Sequence, residues 1–495
     1  MEIARIYAIG FLGFLATLLV GHQARRIVVF VYGRWHNACR YAGTHLVLPK
    51  LFRGRPFFNP TRSESLCYVL HGISVVVFNA YGVKSLIEAQ TRTAQLTVIH
   101  LVPLVVCVQL SYIANALGLS LRVVSKMHAA FGSMVALHGL AHACMHLWVR
   151  KSSDETVVTG IVVCHLRATA RAVRLIYPQG MTAVLALAML PLVRRFAYET
   201  FLYAHRACSI AMVAALWVHL ATRQSFSRFL LRVAMYTLAG TSALRCMDQT
   251  LINVGFRHWK IHTTRLTGIT ESGDTAILRL QLARPCAIRP GQYIYLTILT
   301  SRLGSLFQRH PFTVAWWDTT QTERYPSTIY IVIEPRHGWT KALLERLSDV
   351  VPSLSPEHNP SDQTTESARA ELEFKCCQRV WIDGPYGVTP DLAQFDTFVL
   401  FASHGGIFAQ LPLVKCLAEK SKTNALAIRK IVLAWEADTP HLMLKRWMES
   451  ILRDPEVRRD VSRHEPLHLV TLADRSEAAR NTYLFPERCY GAIAR

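Results

Sequence analysis

Apolar and polar positions divide the chain near residue 245. Before it, long apolar runs recur at about 6–20, 68–86, 95–118, 124–149, 179–197, 200–221 and 228–244, separated by short polar or basic stretches. Most are long enough to cross a hydrocarbon layer as helices. After it, β-branched and aromatic residues alternate with polar ones in short runs bounded by turn residues: TAILRLQL, QYIYLTIL and STIYIVIE. This is the pattern of strands in a small barrel. Beyond Asp396, strand-like runs TFVLFAS, RKIVLAW and LHLVTL alternate with helical segments, as in a parallel sheet of dinucleotide-binding type. The expected fold is multi-domain: an α-helical transmembrane bundle of about seven spans over residues 1–245, a β-barrel over 246–395 and an α/β nucleotide-binding domain over 396–495. The stretch from Pro352 to Ala370 has little to bury and reads as a surface insertion in the barrel.

Charge gives the spans a direction. Glu2 and Arg5 cancel ahead of the first run, whereas His22, Arg25, Arg26, Arg34 and Arg40 follow it. A signal peptide is the alternative for so short an N-terminal run, but a positive flank downstream puts the N-terminus outside and the basic loop in the cytosol. Counting from there, the fourth and sixth spans both run from cytosol to exterior. Arg122, Lys126, Arg194 and Arg195 then fall on the cytosolic side, as expected, and Arg150, Lys151, Arg167, Arg171 and Arg174 do not.

Those two spans carry the chain's sharpest signal. His128 and His142 lie on one, His205 and His219 on the other, each pair 14 residues apart (142 − 128 and 219 − 205). Fourteen steps of about 100° come within roughly 40° of four full turns, so both histidines share one face about 21 Å apart. On parallel helices His128 is level with His205 and His142 with His219, and each pair could grip one haem iron from both sides. His138 and His146 have no counterpart at matching height and, with His71, His100 and His165, read as core histidines.

The stretches MHAAFGSMVALHGLAH and YETFLYAHRACSIAMVAALWVHL resemble the two haem-bearing helices of ferric reductases and NADPH oxidases, including the tryptophan two residues before His219. The resemblance implies two stacked b-type haems, one on His128 and His205 and the other on His142 and His219. In the soluble half, His310, Pro311, Phe312 and Thr313 resemble the flavin motif of the same family: an aromatic to lie against the ring system and a hydroxyl to hydrogen-bond near its reactive nitrogen. Gly338, Trp339 and Thr340, opening a helix, suit a pyrophosphate. Asp383, Gly384, Pro385, Tyr386 and Gly387 resemble the hinge where flavin and nicotinamide domains meet; of these, Gly384 to Gly387 are taken as cofactor-binding. Arg289 to Tyr293 match a barrel turn and read as structural. Gly406 stands where the family carries a glycine-rich loop under the cofactor phosphates, although Ser403 and His404 replace glycines there. Against the family pattern the last domain looks shortened at its C-terminus.

The implied function is a membrane metalloreductase of fungal type, taking electrons from cytosolic NADPH through FAD and two haems to ferric or cupric ions outside, with the plasma membrane as the expected location. Its partners are a ferric chelate or other small acceptor and the lipid bilayer. The alternatives are an NADPH oxidase making superoxide, a redox enzyme of biosynthesis, and a non-enzymatic haem-binding membrane protein whose soluble half serves only to bind partners. Composition narrows the field further. The formal charge of +22 over 495 residues could suggest nucleic acid, but Lys and Arg cluster between spans and form no stripe interleaved with aromatics. The twelve cysteines include no C-x-x-C pair and are expected to be reduced core residues, with neither zinc nor iron–sulfur spacing.

Overall fold

A computed structural model describes residues 4–13, 41–47, 49–51, 60–153, 198–221, 226–257, 260–272, 275–298, 310–318, 325–334, 372–389, 392–393, 395–422, 428–437, 442–452 and 467–473. The chain forms two compact units, Met1–Ser242 and Ala243–Arg495.

The first unit is helical. Its described helices are α1 (Ala4–Gly13), α2 (Arg62–Ala80), α3 (Leu86–Val106), α4 (Leu110–Leu117), α5 (Leu121–Ser153), α6 (Tyr198–Ala221) and the first part of α7 (Phe226–Asn253). Helix α2 starts with a capping box: the Glu64 amide donates to the Thr61 hydroxyl (3.3 Å) and the Thr61 amide to the Glu64 carboxylate (3.0 Å). Ser85 caps α3 by accepting from the Glu88 amide (3.2 Å). Helix α3 is buried on every side from Val98 to Val105 and forms the centre of the bundle. Leu96, Ile99 and Leu101 pack there with Phe131 and Val135 of α5, Met212 of α6 and Leu230 and Leu231 of α7. Between α3, which contains Pro103, and α4 the axis turns by 83°.

Among the described residues, two helices are long and apolar enough to cross a membrane, Arg62–Ala80 and Thr200–Ala221, and α3 with α4 makes a third if the bent pair is one span. The sequence pattern suggests seven. Charge and polarity explain part of the gap: α5 contains Arg122, Lys126 and four histidines, and α7 contains Arg228, Arg232, Arg245 and Asp248. The run at 179–197 lies outside the described residues, and the first run is described only to Gly13. Cys67, Cys107, Cys144, Cys208, Cys246, Cys286 and Cys416 are free, but Cys67, Cys144 and Cys246 are exposed where core positions were expected.

In the second unit, a hairpin of β1 (Val254–Arg257) and β2 (Lys260–Thr263) leads to a closed six-stranded barrel in the order β3-β4-β7-β6-β5-β8. The strands are β3 (Arg265–Ser272), β4 (Thr275–Gln281), β5 (Tyr293–Ile298), β6 (His310–Asp318), β7 (Thr328–Ile333) and β8 (Leu372–Tyr386). The interior holds Leu266, Leu278, Leu280, Ile294, Leu296 and Ile331, all essentially inaccessible. The alternation in β4, β5 and β7 was legible in sequence. The 15-residue β8 was not, because it reads as a polar motif flanked by the 352–370 stretch, which lies outside the described residues.

A parallel sheet follows, in the order β11-β10-β9, from β9 (Thr397–Ser403), β10 (Lys430–Ala437) and β11 (Leu467–Ala473). Helices α8 (Ile407–Lys422) and α9 (Leu442–Leu452) bury Phe398, Leu400, Leu433 and Trp435. A shift of register between Val314 and Trp316 turns β6 so that Trp317 faces the barrel core while Trp316 faces this second core. Trp316 stacks on Trp447 of α9 at 5.5 Å, and the Lys415 ammonium of α8 lies 4.2 Å from the Trp316 ring centre.

Candidate functional site

In the helical unit, α5 and α6 bring His128 and His205 together with ring centres 6.2 Å apart. Two nitrogen–metal bonds of about 2 Å, with about 1 Å from each nitrogen to its ring centre, give about 6 Å for rings that share one metal. The spacing fits an iron between the two.

His142 differs. Its Nδ1 donates to the Gln90 carbonyl of α3 at 2.9 Å, and a carbonyl can only accept. The bond therefore selects the tautomer whose Nε2 keeps its lone pair, as a ligating histidine requires. His219 is half-buried in the last turn of α6. The remaining histidines sit in the packing. His100 Nδ1 donates to the Leu96 carbonyl (2.8 Å) and His138 Nδ1 to the Met134 carbonyl (2.8 Å), while Asn79 donates to His138 Nε2 (3.1 Å). Gln90 donates from its side chain to His146 Nδ1 (2.9 Å). His165 lies outside the described residues.

In the second unit the barrel brings the separate sequence motifs onto three adjacent strands. Tyr293 of β5 pairs with Thr313 of β6 on one side and Tyr386 of β8 on the other, and Tyr295 pairs with Pro311 and Asp383. Directly opposed residues share a sheet face, so Thr313, Tyr293 and Tyr386 lie in a row. The rings of Tyr293 and Tyr295 stand 6.2 and 6.3 Å from that of Tyr386. Pro311 and Thr313 are exposed, Tyr293 and Tyr295 half-buried, and His310 opens β6. Phe312 points the other way, into the barrel core. Aromatic faces beside a threonine hydroxyl fit a flavin ring, and they are supplied here by the tyrosines. Tyr293 thus belongs to the candidate face, although its turn reads as structural in sequence. Gly338, Trp339 and Thr340 lie outside the described residues.

The glycines of the Asp383–Gly387 segment answer to the backbone. Gly384 (φ 129°) and Gly387 (φ 127°) occupy conformations that side chains rarely adopt, and a Cβ on Gly387 would stand 2.9 Å from the Gly291 carbonyl. They let the end of β8 cross close over the turn before β5.

Asp383, between them and the barrel, is 2% exposed. Arg245 of α7 forms an ion pair with it, and the Tyr386 hydroxyl donates to the same carboxylate. Burial drives the Asp383 carboxyl up, but the hydrogen bonds from Arg245 and Tyr386 outweigh it and hold the group below the usual carboxylate range. Burial and the neighbouring negative charge push the Tyr386 phenol above its ordinary value. Sequence reasoning passed over this pair because Arg245 and Asp383 are 138 residues apart. The available signal was an arginine directly after the last apolar run.

At the start of α8, Gly406 has open space where a Cβ would stand, so no protein contact requires a glycine there. His404 takes a left-handed φ of 47°, and its carbonyl accepts from the Trp435 indole at 3.1 Å. The Glu334 side chain lies against Gly405. A carboxylate there opposes a phosphate, and the described residues of this turn do not form a phosphate cradle.

Residues 262–390 match the FAD-binding domain family. The chain is 24% identical over 295 residues to a probable cell surface ferric reductase of Aspergillus oryzae, covering 56% of this chain and 34% of that one. It is 22% identical over 319 residues to ferric/cupric reductase transmembrane component 2 of Schizosaccharomyces pombe, covering 58% and 52%. A probable ferric reductase transmembrane component of Eremothecium gossypii is 28% identical over 213 residues, covering 40% and 27%. The chain thus spans only about a quarter to a half of the length of these relatives. Among solved structures, a flavohemoglobin from Malassezia yamatoensis aligns with 79% of this chain and 87% of its own at 12% identity and a TM-score of 0.31, too low to mark a shared overall fold. The barrel thus matches an FAD-binding domain, and the chain is similar, at 22–28% identity, to curated fungal ferric reductases.

Proposed function

We propose that this chain is a multi-pass membrane oxidoreductase that uses a nicotinamide nucleotide to reduce ferric or cupric ions outside the cytosol, in the plasma membrane. Residues 1–245 form its haem domain, 246–395 its flavin domain and 396–495 its nucleotide domain. The observation that carries the reading is the approach of His128 to His205 in a chain whose barrel matches an FAD-binding domain. When bound, FAD converts a two-electron hydride into single electrons and the haems give those electrons stopping points across about 30 Å of hydrocarbon.

The protein's own groups bind and orient. His128 with His205, and His142 with His219, would hold the two irons, and the Gln90 carbonyl keeps His142 in the tautomer that a ligand requires. Tyr293 and Tyr295 would supply aromatic faces to the flavin and Thr313 a hydroxyl. Phosphate contacts to the nucleotide are not assigned to Gly406 or its neighbours.

The test is a membrane preparation supplied with NADPH or NADH and a ferric chelate, followed together with the haem spectrum and with superoxide release. Ferrous product with a bis-histidine haem spectrum is expected. Oxygen uptake with superoxide and no metal reduction would move the chain to the oxidases, and absence of haem absorbance would defeat the proposal.

A further inference from the structure

The C-terminal part of α7 and the end of β8 are joined by side chains at a regular interval. Arg245, Gln249 and Asn253 recur every four residues, so they form one stripe on the helix. Between them they meet three consecutive residues of β8, Trp381 to Asp383. Asn253 bonds both backbone groups of Ile382, with Oδ1 accepting from its amide at 2.8 Å and Nδ2 donating to its carbonyl at 2.6 Å. The Gln249 carbonyl oxygen accepts from the Trp381 indole at 3.4 Å. Arg245 takes Asp383 through Nε and Nη2.

Asp383 is almost wholly buried, and a buried carboxylate is retained at a cost unless its partners are fixed. Its second partner is the Tyr386 hydroxyl, three residues on past Gly384. The Tyr386 ring is 5% exposed and lies beside Tyr293 and Tyr295, the half-buried rings of the candidate flavin face. A hydrogen bond at the para position and strand pairing at the backbone leave the Tyr386 ring little freedom to turn.

We infer that Asp383, clamped by Arg245, is a positioning residue of the flavin site: it holds the Tyr386 ring as the fixed support against which Tyr293 and Tyr295 present their faces. The inference rests on the flavin reading above and extends it to two residues that do not touch the flavin. Arg245 and Asp383 act as one unit with Tyr386, so their effects on flavin binding are not additive.

The experiment uses the full chain in detergent, stripped of flavin and titrated with FAD, comparing wild type with Asp383→Asn, Arg245→Lys, Tyr386→Phe and the double variant Asp383→Asn/Tyr386→Phe. Dissociation constant, quenching of flavin fluorescence and melting temperature of the flavin-free protein are recorded. Asp383→Asn and Tyr386→Phe each raise the FAD dissociation constant about tenfold and weaken the quenching, with the double variant no worse than the weaker single one. Arg245→Lys falls between them and wild type, since lysine keeps the charge but loses the fork. A purely structural role lowers the melting temperature while the folded protein binds and quenches as wild type does, and that result overturns the inference. So do independent, additive effects. Tyr386→Phe removes one hydrogen bond and no charge, so it remains decisive if Asp383→Asn does not fold. Wild-type protein that binds no FAD defeats the flavin reading itself, whereas wild-type binding with unaltered variants defeats only the role of Asp383.

Discussion

Asn253 replaces a missing strand, and removing its side chain exposes what that costs. In the ladder between β3 and β8 the Val380 amide donates to the Thr264 carbonyl at 3.2 Å. The next β8 residue facing the same way is Ile382, beyond the start of β3 at Arg265. There the Asn253 amide supplies both an acceptor and a donor, while its own backbone carbonyl accepts from the Thr264 amide at 3.1 Å. Asn253 is 1% exposed, so Asn253→Ala leaves a buried N–H and a buried C=O unpaired. Each costs about 1–3 kcal/mol, and allowing for the amide no longer buried the net loss is about 2–4 kcal/mol. For a unit of this size that lowers the melting temperature by about 5–15 °C. Asn253→Asp is at least as damaging, because it keeps the acceptor but sets a carboxylate against the Ile382 carbonyl. The assay is thermal unfolding of the full chain followed by tryptophan fluorescence, with hydrogen exchange in peptides covering 378–386. A change below about 1 °C with the Ile382 amide still protected refutes the reasoning.

Other consequences follow from the same geometry. Asp383 has a folded-state pKa below the unfolded value near 3.8, so its stabilisation is present above that pH and is lost as pH falls through the lower folded value; Tyr386 has a raised pKa, so its contribution is present below about 10 and is lost as pH rises above it. Denaturant unfolding across pH should therefore show an acid limb that shrinks in Asp383→Asn and an alkaline limb that shrinks in Tyr386→Phe. Substituting alanine for His128 or His205 should remove one haem, and for His142 or His219 the other, each leaving roughly half the haem measured by extraction from intact membranes. Trp447→Ala, which deletes the ring stacked on Trp316 and packed at the edge by Tyr330 and Phe408, should cost about 3–5 kcal/mol, read as a lower urea midpoint of the second unit.

Some of this architecture is written in local periodicity. Three barrel strands and all three strands of the parallel sheet were legible because alternation of apolar and polar residues is a property of neighbouring positions, and the equal intervals of His128–His142 and His205–His219 reduce to helical geometry. What periodicity could not carry was pairing at long range. It counts seven apolar spans, of which two, or three with the bent pair, pass by length and apolarity among the described residues. It read Phe312 as an aromatic for the flavin, whereas the register of β5, β6 and β8 sends Phe312 to the core and sets Tyr293 and Tyr295 beside Thr313. Above all, sequence alone treated Arg245 as the end of a helix and Asp383 as part of a turn. Only the fold brings the guanidinium to the carboxylate across 138 residues, because a buried charge must find its partner wherever the packing places it.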